Sequence, residues 1–268
     1  MISVIGIPTD KNSSYLKGSS LAPKIILKEF QSDARNTFAE NGVELTLGEN
    51  WKDMGSLSLK ELNPEQEFAY IRSTIEDQLK NKNYCISLGG DHSITYPIIK
   101  GYNKFFPNIN ILHFDAHPDL YHDFDNNFFS HASPFARIME QKLANSLTQV
   151  GIRTLNDHQN FQVEKFNVTV VEMRDFRPDL HLKLDSPLYV SIDIDALDPA
   201  FAPGVSHLEP GGLATRDIIN IISKLDVDII GADIVEYNPK MDINNMTAIT
   251  AAKLLKELMG KICNKKPY

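Results

Sequence analysis

The sequence predicts an α/β fold: a single three-layer α/β/α domain with a mostly parallel sheet. Two observations lead to this prediction. Short runs of apolar, often β-branched residues alternate with stretches of helical periodicity along most of the chain. These runs are apolar at nearly every position, which is typical of parallel strands that helices cover on both faces. No internal repeat, low-complexity tract or linker interrupts the chain, so we expect one domain over residues 1–268.

The predicted elements begin with a strand at Met1–Pro8. A helix follows from Asn63 to about Asn83, because Asn63 can cap it, Pro64 fits its first turn, and nearby acidic residues complement the positive end of its dipole. The other predicted strands are Tyr84–Leu88, Ile109–Phe114, Leu147–Ile152, Val168–Met173, Leu188–Asp193 and Asp228–Val235. The other predicted helices are His92–Lys104, Asp157–Phe166, Thr215–Leu225 and Asn245–Cys263.

Composition excludes several classes of protein. The 27 basic and 35 acidic residues give a net charge of −8, which repels phosphate backbones, so no nucleic-acid partner is expected. The longest apolar stretches, such as Val227–Val235, fall well short of the roughly 18 residues that a membrane helix needs, so no membrane partner is expected. The two cysteines form no Cys-x-x-Cys motif, which argues against a zinc–thiolate site. The N-terminus lacks the features of a signal peptide, and from this we expect a cytoplasmic location.

Polar clusters follow three of the predicted strands. In open parallel sheets, ligands bind in the crevice at the carboxyl ends of the strands, so the residues there are the first candidates for a site. The first cluster, Gly89–Ser93, follows the strand Tyr84–Leu88. Asp91 or Ser93 could simply cap the next helix, or the turn could present His92 to the crevice as a metal ligand. The cluster by itself leaves both interpretations open.

The second cluster is Asp115-Ala116-His117-Pro118-Asp119, directly after the strand Ile109–Phe114. While the chain stays extended, Asp115, His117 and Asp119 emerge on one face, where they would repel or desolvate one another unless a cation neutralised them. A solvated acidic turn is the alternative. His113 has the same parity but lies deeper in the strand, so we expect it to be buried and hydrogen-bonded, and not a ligand.

The third cluster, Ser191–Pro199, repeats this arrangement with Asp193 and Asp195, while Asp198 before Pro199 is typical of a turn. Together the clusters offer two imidazoles and four carboxylates: His92, Asp115, His117, Asp119, Asp193 and Asp195. Four negative charges match two divalent cations, and a carboxylate-rich site favours manganese or magnesium over zinc. Because paired ions suit the activation of a bridging water, the clusters predict a two-metal hydrolase, with manganese as the expected metal.

In their order and spacing, the three clusters resemble the arginase/agmatinase family of ureohydrolases. Further segments look most like the plant-type arginases: Ser130–Arg137, Val150–Arg153 and Ser191–Gly204. The resemblance extends from about Tyr84 to the C-terminus and is less distinct before it. It implies a three-layer α/β domain, assembly into a homotrimer or homohexamer, and cleavage of the guanidinium group of a small guanidino substrate to urea and an amine.

The resemblance also implies two Mn²⁺ per subunit. One ion would be held by His92, Asp115, Asp119 and Asp193, and the other by Asp115, His117, Asp193 and Asp195. Hydroxide formed between the ions would attack the guanidinium carbon. Asp119 would hydrogen-bond the hydroxide, His131 would shuttle a proton to the leaving amine, and Glu236 would pair with the substrate guanidinium. Without the resemblance, Glu236 could be an ordinary surface carboxylate and His131 a solvated loop histidine.

The choice of guanidino substrate depends on few contacts. Asn127 lies four residues before His131, in a region where family arginases use polar loop residues, and Asn156 lies where they hold the α-amino group. These residues and the length of the loop Leu120–Ser130 favour L-arginine, which would give urea and ornithine. Tyr121 departs from the asparagine of animal-type arginases, so the alternatives are agmatine, which would give urea and putrescine, or another guanidino compound.

Two other classes of function are alternatives. A dinuclear phosphoesterase shares the beginning of the Asp115-x-His117 pattern, but the later asparagine and histidine motifs of that class are missing. A metal-stabilised homologue without activity is the second, although all six ligand positions, His131 and Glu236 are intact. His207 and Glu209 share a loop and could touch substrate or another subunit, and we assign no role to either.

Overall fold

The computed structural model describes residues 1–264, so the last four residues of the predicted domain lie outside the described residues. The strands are β1 (Ile2–Ile7), β2 (Trp51–Ser56), β3 (Tyr84–Gly89), β4 (Asn110–Phe114), β5 (Ser146–Ile152), β6 (Thr169–Glu172), β7 (Leu188–Asp193) and β8 (Ile229–Val235). The α-helices are α1 (Ala22–Phe30), α2 (Pro64–Lys80), α3 (Thr95–Asn103), α4 (Pro134–Glu140), α5 (Asp157–Phe166), α6 (Thr215–Lys224) and α7 (Met246–Cys263). Each predicted element is present, with its ends shifted by three residues or fewer.

The eight strands of residues 1–264 form one parallel sheet in the order β2-β1-β3-β8-β7-β4-β5-β6. The predicted α/β fold class is therefore confirmed. The sequence reasoning missed β2, α1 and α4. Strand β2 lies at the edge of the sheet, where it pairs with β1 alone, and its residues 53–56 are exposed. An exposed edge strand needs no apolar run, which is why the pattern did not reveal it.

Helices cover both faces of the sheet. Buried residues of α1, α6 and α7 pack into one apolar cluster with the sheet, for example Ile26, Ile222 and Leu255. Residues of α2, α3 and α4 pack into a second cluster, for example Ile71, Ile98 and Phe135. Consecutive residues of β4, Ile111 and Leu112, belong to opposite clusters, as the alternation of side chains along a strand requires. The arrangement is a three-layer α/β/α structure.

The start of α2 shows why the sequence could place a helix accurately. Asn63 Oδ1 accepts the backbone N–H of Gln66 at 2.9 Å, and the Gln66 side chain accepts the Asn63 N–H at 3.1 Å. This reciprocal pair satisfies two of the N–H groups that the first helical turn leaves without partners. Among the helices of residues 1–264, none has both the length and the apolar character that a membrane span needs.

The order of the strands determines where the predicted clusters meet. The four central strands, β3, β8, β7 and β4, are consecutive neighbours. Neighbouring strands lie about 4.8 Å apart, so residues at their carboxyl ends are within reach of one another. Asp115 follows β4, Asp193 ends β7, Glu236 follows β8, and His92 comes shortly after β3. The sheet therefore gathers at one edge polar residues from four distant parts of the chain.

Candidate active site

His92 and three carboxylates form a buried group at this edge. The Nδ1 atom of His92 lies 3.3 Å from Asp115 Oδ2, 3.1 Å from Asp119 Oδ2 and 3.2 Å from Asp193 Oδ2. His92 and Asp115 are fully buried, and Asp119 and Asp193 expose only 7% and 3% of their surface. The second cluster is therefore not the solvated acidic turn that its sequence also allowed.

The other ring nitrogen of His92 fixes the tautomer of the neutral ring. Nε2 lies 2.9 Å from Ser191 Oγ, which in turn lies 2.6 Å from Asp233 Oδ1. The Asp233 carboxylate also accepts hydroxyl bonds from Thr95 and Tyr189 at 2.9 Å each, so Ser191 donates to it and accepts from His92 Nε2–H. Nδ1 then directs its lone pair at three carboxylate oxygens and has no hydrogen-bond partner. A cation would relieve this arrangement.

Asp115, His117 and Asp195 form a second group, which shares Asp115 with the first. His117 Nδ1 lies 3.1 Å from Asp195 Oδ2 and 3.4 Å from Asp115 Oδ1. Asp115 thus directs Oδ2 into the first group and Oδ1 into the second. Asp193 contributes Oδ2 to the first group, while its Oδ1 accepts the Asp195 backbone N–H at 2.8 Å. The geometry makes Asp115 the residue common to both groups.

The donor set fits divalent cations that prefer oxygen ligands. The two groups contain four carboxylates and two imidazoles and no cysteine, and such a set favours manganese or magnesium. Octahedral metal–oxygen bonds of about 2.1 Å place neighbouring ligand atoms about 3 Å apart. The distances from the two Nδ1 atoms to the carboxylate oxygens are 3.1 to 3.4 Å. The residues could therefore hold two ions without large rearrangement.

The backbone brings these side chains together by turning and not by staying extended. Strand β4 ends at Phe114, and Asp119 has a left-handed φ of 50°. After β7, the residues Ile194–Ala196 form a 3₁₀ turn. The sequence predicted that these side chains converge because an extended chain directs alternate residues to one face. That explanation is wrong, although the same side chains do converge. Glu236 also has a left-handed φ, 63°, and such non-glycine strain is concentrated at functional sites.

Two other carboxylates of the clusters hold turns. Asp91 Oδ1 accepts the Ser93 backbone N–H at 3.1 Å, so both interpretations of the first cluster apply: Asp91 caps, and His92 joins the carboxylates. Asp91 Oδ2 also accepts the backbone N–H of Asn12 at 2.9 Å. Asp198 accepts the backbone N–H of Gly211 at 2.7 Å and is the turn residue that was expected.

His113 is buried and hydrogen-bonded, as the sequence predicted. The Gln149 amide donates to His113 Nδ1 at 3.0 Å, so the ring carries its proton on Nε2 and donates to Asp115 Oδ2 at 2.8 Å. Burial lowers the pKa of His113 to about 4, so the ring is neutral at pH 7. Because both nitrogens are engaged, His113 positions Asp115 and has no lone pair left for a metal.

Without a cation, the buried carboxylates would compete for protons. Burial, followed by the charge of Asp115, raises the pKa of Asp119 to about 6. Burial and the charge of Asp195 raise the pKa of Asp193 well above its usual range. Protons and divalent cations therefore compete for the same oxygens, and metal affinity at such a site increases with pH.

A cavity of about 220 Å³ opens over both groups. A larger groove of about 670 Å³ lies beside α1 and β2 and contains none of the predicted site residues. The smaller cavity is therefore the candidate active site. Its lining combines members of the two groups with loop residues: His117, Asp119, Asp193, Asp195, Glu236, Ser14, Tyr121, Phe124, His131, Ala132, Thr154, Gln159, His207 and Glu209.

Glu236 and His131 meet at the wall of this cavity. They expose 5% and 8% of their surface, so the alternatives of a surface carboxylate and a solvated histidine are wrong. Glu236 Oε1 accepts from His131 Nδ1 at 2.7 Å and from the His92 backbone N–H at 2.9 Å. No hydrogen bond within residues 1–264 engages Oε2, which leaves this oxygen for a ligand. Burial lowers the pKa of His131, but the Glu236 carboxylate, together with the charges of Asp119 and Asp91, raises it overall to about 9.

Asn127 and Asn156, the predicted substrate-binding residues, do not line the cavity. Asn127 donates to Asn12 Oδ1 at 3.1 Å. Asn156 caps α5 by accepting the Gln159 backbone N–H at 3.0 Å, and it donates to the Tyr121 hydroxyl at 2.5 Å. Both side chains therefore have protein partners: Asn127 bonds to a residue 115 positions away, and Asn156 caps a helix.

Sequence reasoning missed Ser14 and assigned no role to His207 and Glu209, yet all three line the cavity. Ser14 contacts His131 Nε2 through its backbone N–H at 3.2 Å and its hydroxyl at 2.9 Å. The His207 ring lies 5.5 Å from the His131 ring and 5.9 Å from the His117 ring. Ser14 and His131 are 117 positions apart in the chain, so the local pattern of the sequence gives no sign of their contact.

Comparison with known proteins gives a consistent result. The model of the arginase family matches residues 1–260. A mitochondrial arginase of Medicago truncatula is 44% identical over 279 residues, covering 97% of this chain and 81% of the relative. Arginase 2 of Arabidopsis thaliana, named chloroplastic/mitochondrial, is 40% identical over 274 residues, with coverages of 97% and 80%. The solved arginase from Medicago truncatula matches with a TM-score of 0.93 and 42% identity, covering 97% of this chain and 87% of that one.

These names contradict the expected cytoplasmic location, because the related arginases are named mitochondrial or chloroplastic. The absence of secretory features argued only against the secretory route, and it gave no information on organelles. The resemblance seen in the clusters is confirmed, and it extends to the N-terminal residues, where the motifs were indistinct. With a family model matching residues 1–260 and a relative at 44% identity, the chain belongs to the arginase family.

Proposed function

We propose that this chain, as one domain, hydrolyses the guanidinium group of L-arginine to urea and ornithine with two manganese ions. The observation that supports this best is Asp115, whose two oxygens face two separate groups of ligand atoms. One ion would be held by His92, Asp115, Asp119 and Asp193. The other would be held by Asp115, His117 and Asp195, to which the resemblance adds Asp193. When bound, such ions lower the pKa of water, so that hydroxide is available near neutral pH to attack the guanidinium carbon.

Glu236 orients the guanidinium in this proposal. Its Oε1 is fixed by His131 and by the His92 backbone, so Oε2 remains to accept an N–H from the substrate. Burial raises the pKa of Glu236, but the charge of His131 and the two hydrogen bonds lower it overall, which keeps the carboxylate ionised at neutral pH. An ionised carboxylate that is almost fully buried stabilises a cationic substrate, here through one oxygen and not through two parallel bonds.

His131 supplies the proton to the leaving amine. Its Nδ1 is held by Glu236, so Nε2 is the atom that gives and regains the proton. With a pKa of about 9, the ring is largely protonated at neutral pH, which suits a general acid. Asp119, whose Oδ2 contacts His92, also lines the cavity, and in this proposal it accepts a hydrogen bond from the attacking water.

The amino-acid end of the substrate meets the outer part of the cavity. Glu209 and Gln159 line it and are not part of either ligand group. Because Asn127 and Asn156 point elsewhere, we propose that the Glu209 carboxylate takes the α-ammonium group of arginine. Agmatine keeps this ammonium group and lacks only the α-carboxylate, so the contact would serve both substrates. Guanidinobutyrate, which has no ammonium group, should be a poorer substrate than either if the contact forms.

A urea assay of the manganese-loaded protein with arginine, agmatine, guanidinobutyrate and guanidine tests the proposal. We expect urea from arginine at the highest kcat/KM and no urea after chelation. Equal or greater kcat/KM with agmatine would transfer the assignment to agmatinase. Phosphate release from a generic ester would indicate a phosphoesterase, and loss of all turnover with metal still bound would indicate a homologue without activity.

We also propose that the chain assembles into a homotrimer or homohexamer. Large apolar side chains are exposed near the cavity loops and the start of α7, with exposures of 39–56%: Phe201, Leu208, Met241, Ile243 and Met246. Exposed apolar patches on soluble proteins commonly mark contact surfaces. Light scattering should give a mass of three or six chains, and a monomer at assay concentration would contradict the proposal.

A further inference from the structure

The segment Asp10–Gly18 reaches His131 from the N-terminal part of the chain. The Ser14 hydroxyl lies 2.9 Å from His131 Nε2, and the Ser14 backbone N–H donates to the same nitrogen at 3.2 Å. The backbone N–H of His131 donates to the Asn12 carbonyl at 3.2 Å. Since Glu236 accepts from Nδ1, both ring nitrogens of His131 have protein partners.

Ser14 is exposed to solvent, but its neighbours hold it in place. The Asn12 backbone N–H donates at 2.9 Å to Asp91, which is fully buried. The Lys11 ammonium donates to two backbone carbonyls at 2.8 Å and to the buried Glu67 carboxylate at 2.7 Å. These bonds fix the backbone on the N-terminal side of Ser14, so its hydroxyl is positioned before any substrate binds.

The Ser14 hydroxyl suits both protonation states of His131, whereas the Ser14 backbone N–H can donate to the neutral ring alone. In the neutral ring, Nε2 accepts from the Ser14 backbone N–H, and the hydroxyl can donate to it as well. In the imidazolium, Nε2–H donates to the Ser14 oxygen, and the hydroxyl proton is free to bond water. A hydroxyl that can change from donor to acceptor, with one side on the ring and the other in solvent, has the geometry of a proton relay.

We propose that Ser14 positions the imidazole of His131 and exchanges its Nε2 proton with solvent. In the outward direction, the N–H bond at Nε2 breaks as Ser14 Oγ takes that proton, while the original Ser14 O–H bond breaks as its proton passes to water. One proton leaves the ring, one proton reaches solvent, and Ser14 is unchanged. The reverse transfer restores the imidazolium after His131 has given its proton to the amine. The inference rests on the proposed role of His131.

Ser14→Ala tests the relay, because it removes the hydroxyl and keeps the backbone N–H. The matched control is Ser13→Ala in the same segment, whose hydroxyl lies 3.4 Å from Asp91 and makes no hydrogen bond to His131. General acid–base groups contribute about 10²–10⁴ to rate, so we expect loss of one step of the relay to lower kcat about tenfold. The KM and manganese content of the Ser14→Ala enzyme should stay within about twofold of wild type. The kcat, KM and manganese content of the Ser13→Ala enzyme should also stay within about twofold of wild type.

Added imidazole separates a proton relay from a purely structural role. As a small proton carrier, it should restore at least half of the lost kcat of Ser14→Ala and leave wild type unchanged, and Ser14→Thr, which keeps a hydroxyl, should need no rescue. A Ser14→Ala enzyme within twofold of wild type, or a loss that imidazole does not restore, would overturn the relay. A wild-type protein that releases no urea would instead contradict the proposed function.

Discussion

Removal of the metal ions is expected to destabilise the fold. Three carboxylate oxygens lie 3.1–3.3 Å from Nδ1 of His92, so chelation leaves a concentrated set of buried carboxylates that protons alone can neutralise. An ion present at 100 times its Kd stabilises a protein by about 2.7 kcal/mol, so two ions would contribute about 5 kcal/mol. At about 2–4 °C per kcal/mol for a chain of this size, Tm should fall by about 10–20 °C.

The fall in Tm on removal of the metal ions should be larger at higher pH. In the chelated protein, burial and the charge of Asp115 raise the pKa of Asp119 from 3.8 to about 6, so the folded state binds more protons than the unfolded state between these values. This contribution, about 3 kcal/mol, is present below pH 3.8 and is lost as the pH rises through 6. Burial lowers the pKa of His117, but Asp195 and Asp115 raise it overall to about 12, so its stabilisation is lost progressively above pH 6.5.

Thermal melts with manganese and with EDTA, at about pH 5.5 and about pH 8, measure this effect. The difference in Tm between the manganese and EDTA samples should be greater at the higher pH. There the chelated protein has lost protons from its buried carboxylates, whereas the manganese-loaded protein has bound cations in their place. Asp123→Ala, in the exposed loop before His131, is the control and should not change the difference. An EDTA effect that is absent at both pH values, or that shrinks as the pH rises, would refute the reasoning.

Three further predictions concern single residues. Asp115→Ala removes the carboxylate common to both groups and should abolish urea release and reduce bound manganese; two ions per chain by elemental analysis would contradict this. Glu236→Gln keeps the shape of the side chain but removes its charge, and it should lower kcat/KM for arginine about 100-fold, equivalent to about 2.7 kcal/mol; a loss below threefold in steady-state assays would exclude the proposed contact. Phe135→Ala, fully buried against the site histidines, should lower the free energy of unfolding by about 3–5 kcal/mol in denaturant melts, whereas Phe161→Ala, 62% exposed, should change it by less than about 0.5 kcal/mol.

The predictable parts of the fold are those in which local pattern and tertiary environment agree. Strand β7 is buried at all six positions and was placed correctly as Leu188–Asp193. Edge strand β2 is mostly exposed and was missed, and so were the short helices α1 and α4. Pairing partners could not be inferred either, because the order β3-β8-β7-β4 depends on crossovers that no local pattern encodes.

The site shows a similar division, and its cause is electrostatic. A carboxylate at the end of a buried strand is costly unless a cation or hydrogen bonds compensate it, so Asp115 or Asp193 signals a site even without knowledge of its partners. Asparagine and serine carry no such cost, since nearby backbone groups satisfy them almost anywhere in a loop. Asn127 was therefore assigned to the substrate while it bonds to Asn12, and Ser14 was overlooked while it contacts His131. Ionisable residues in apolar surroundings can be identified from sequence, whereas the neutral polar residues around them need the three-dimensional structure.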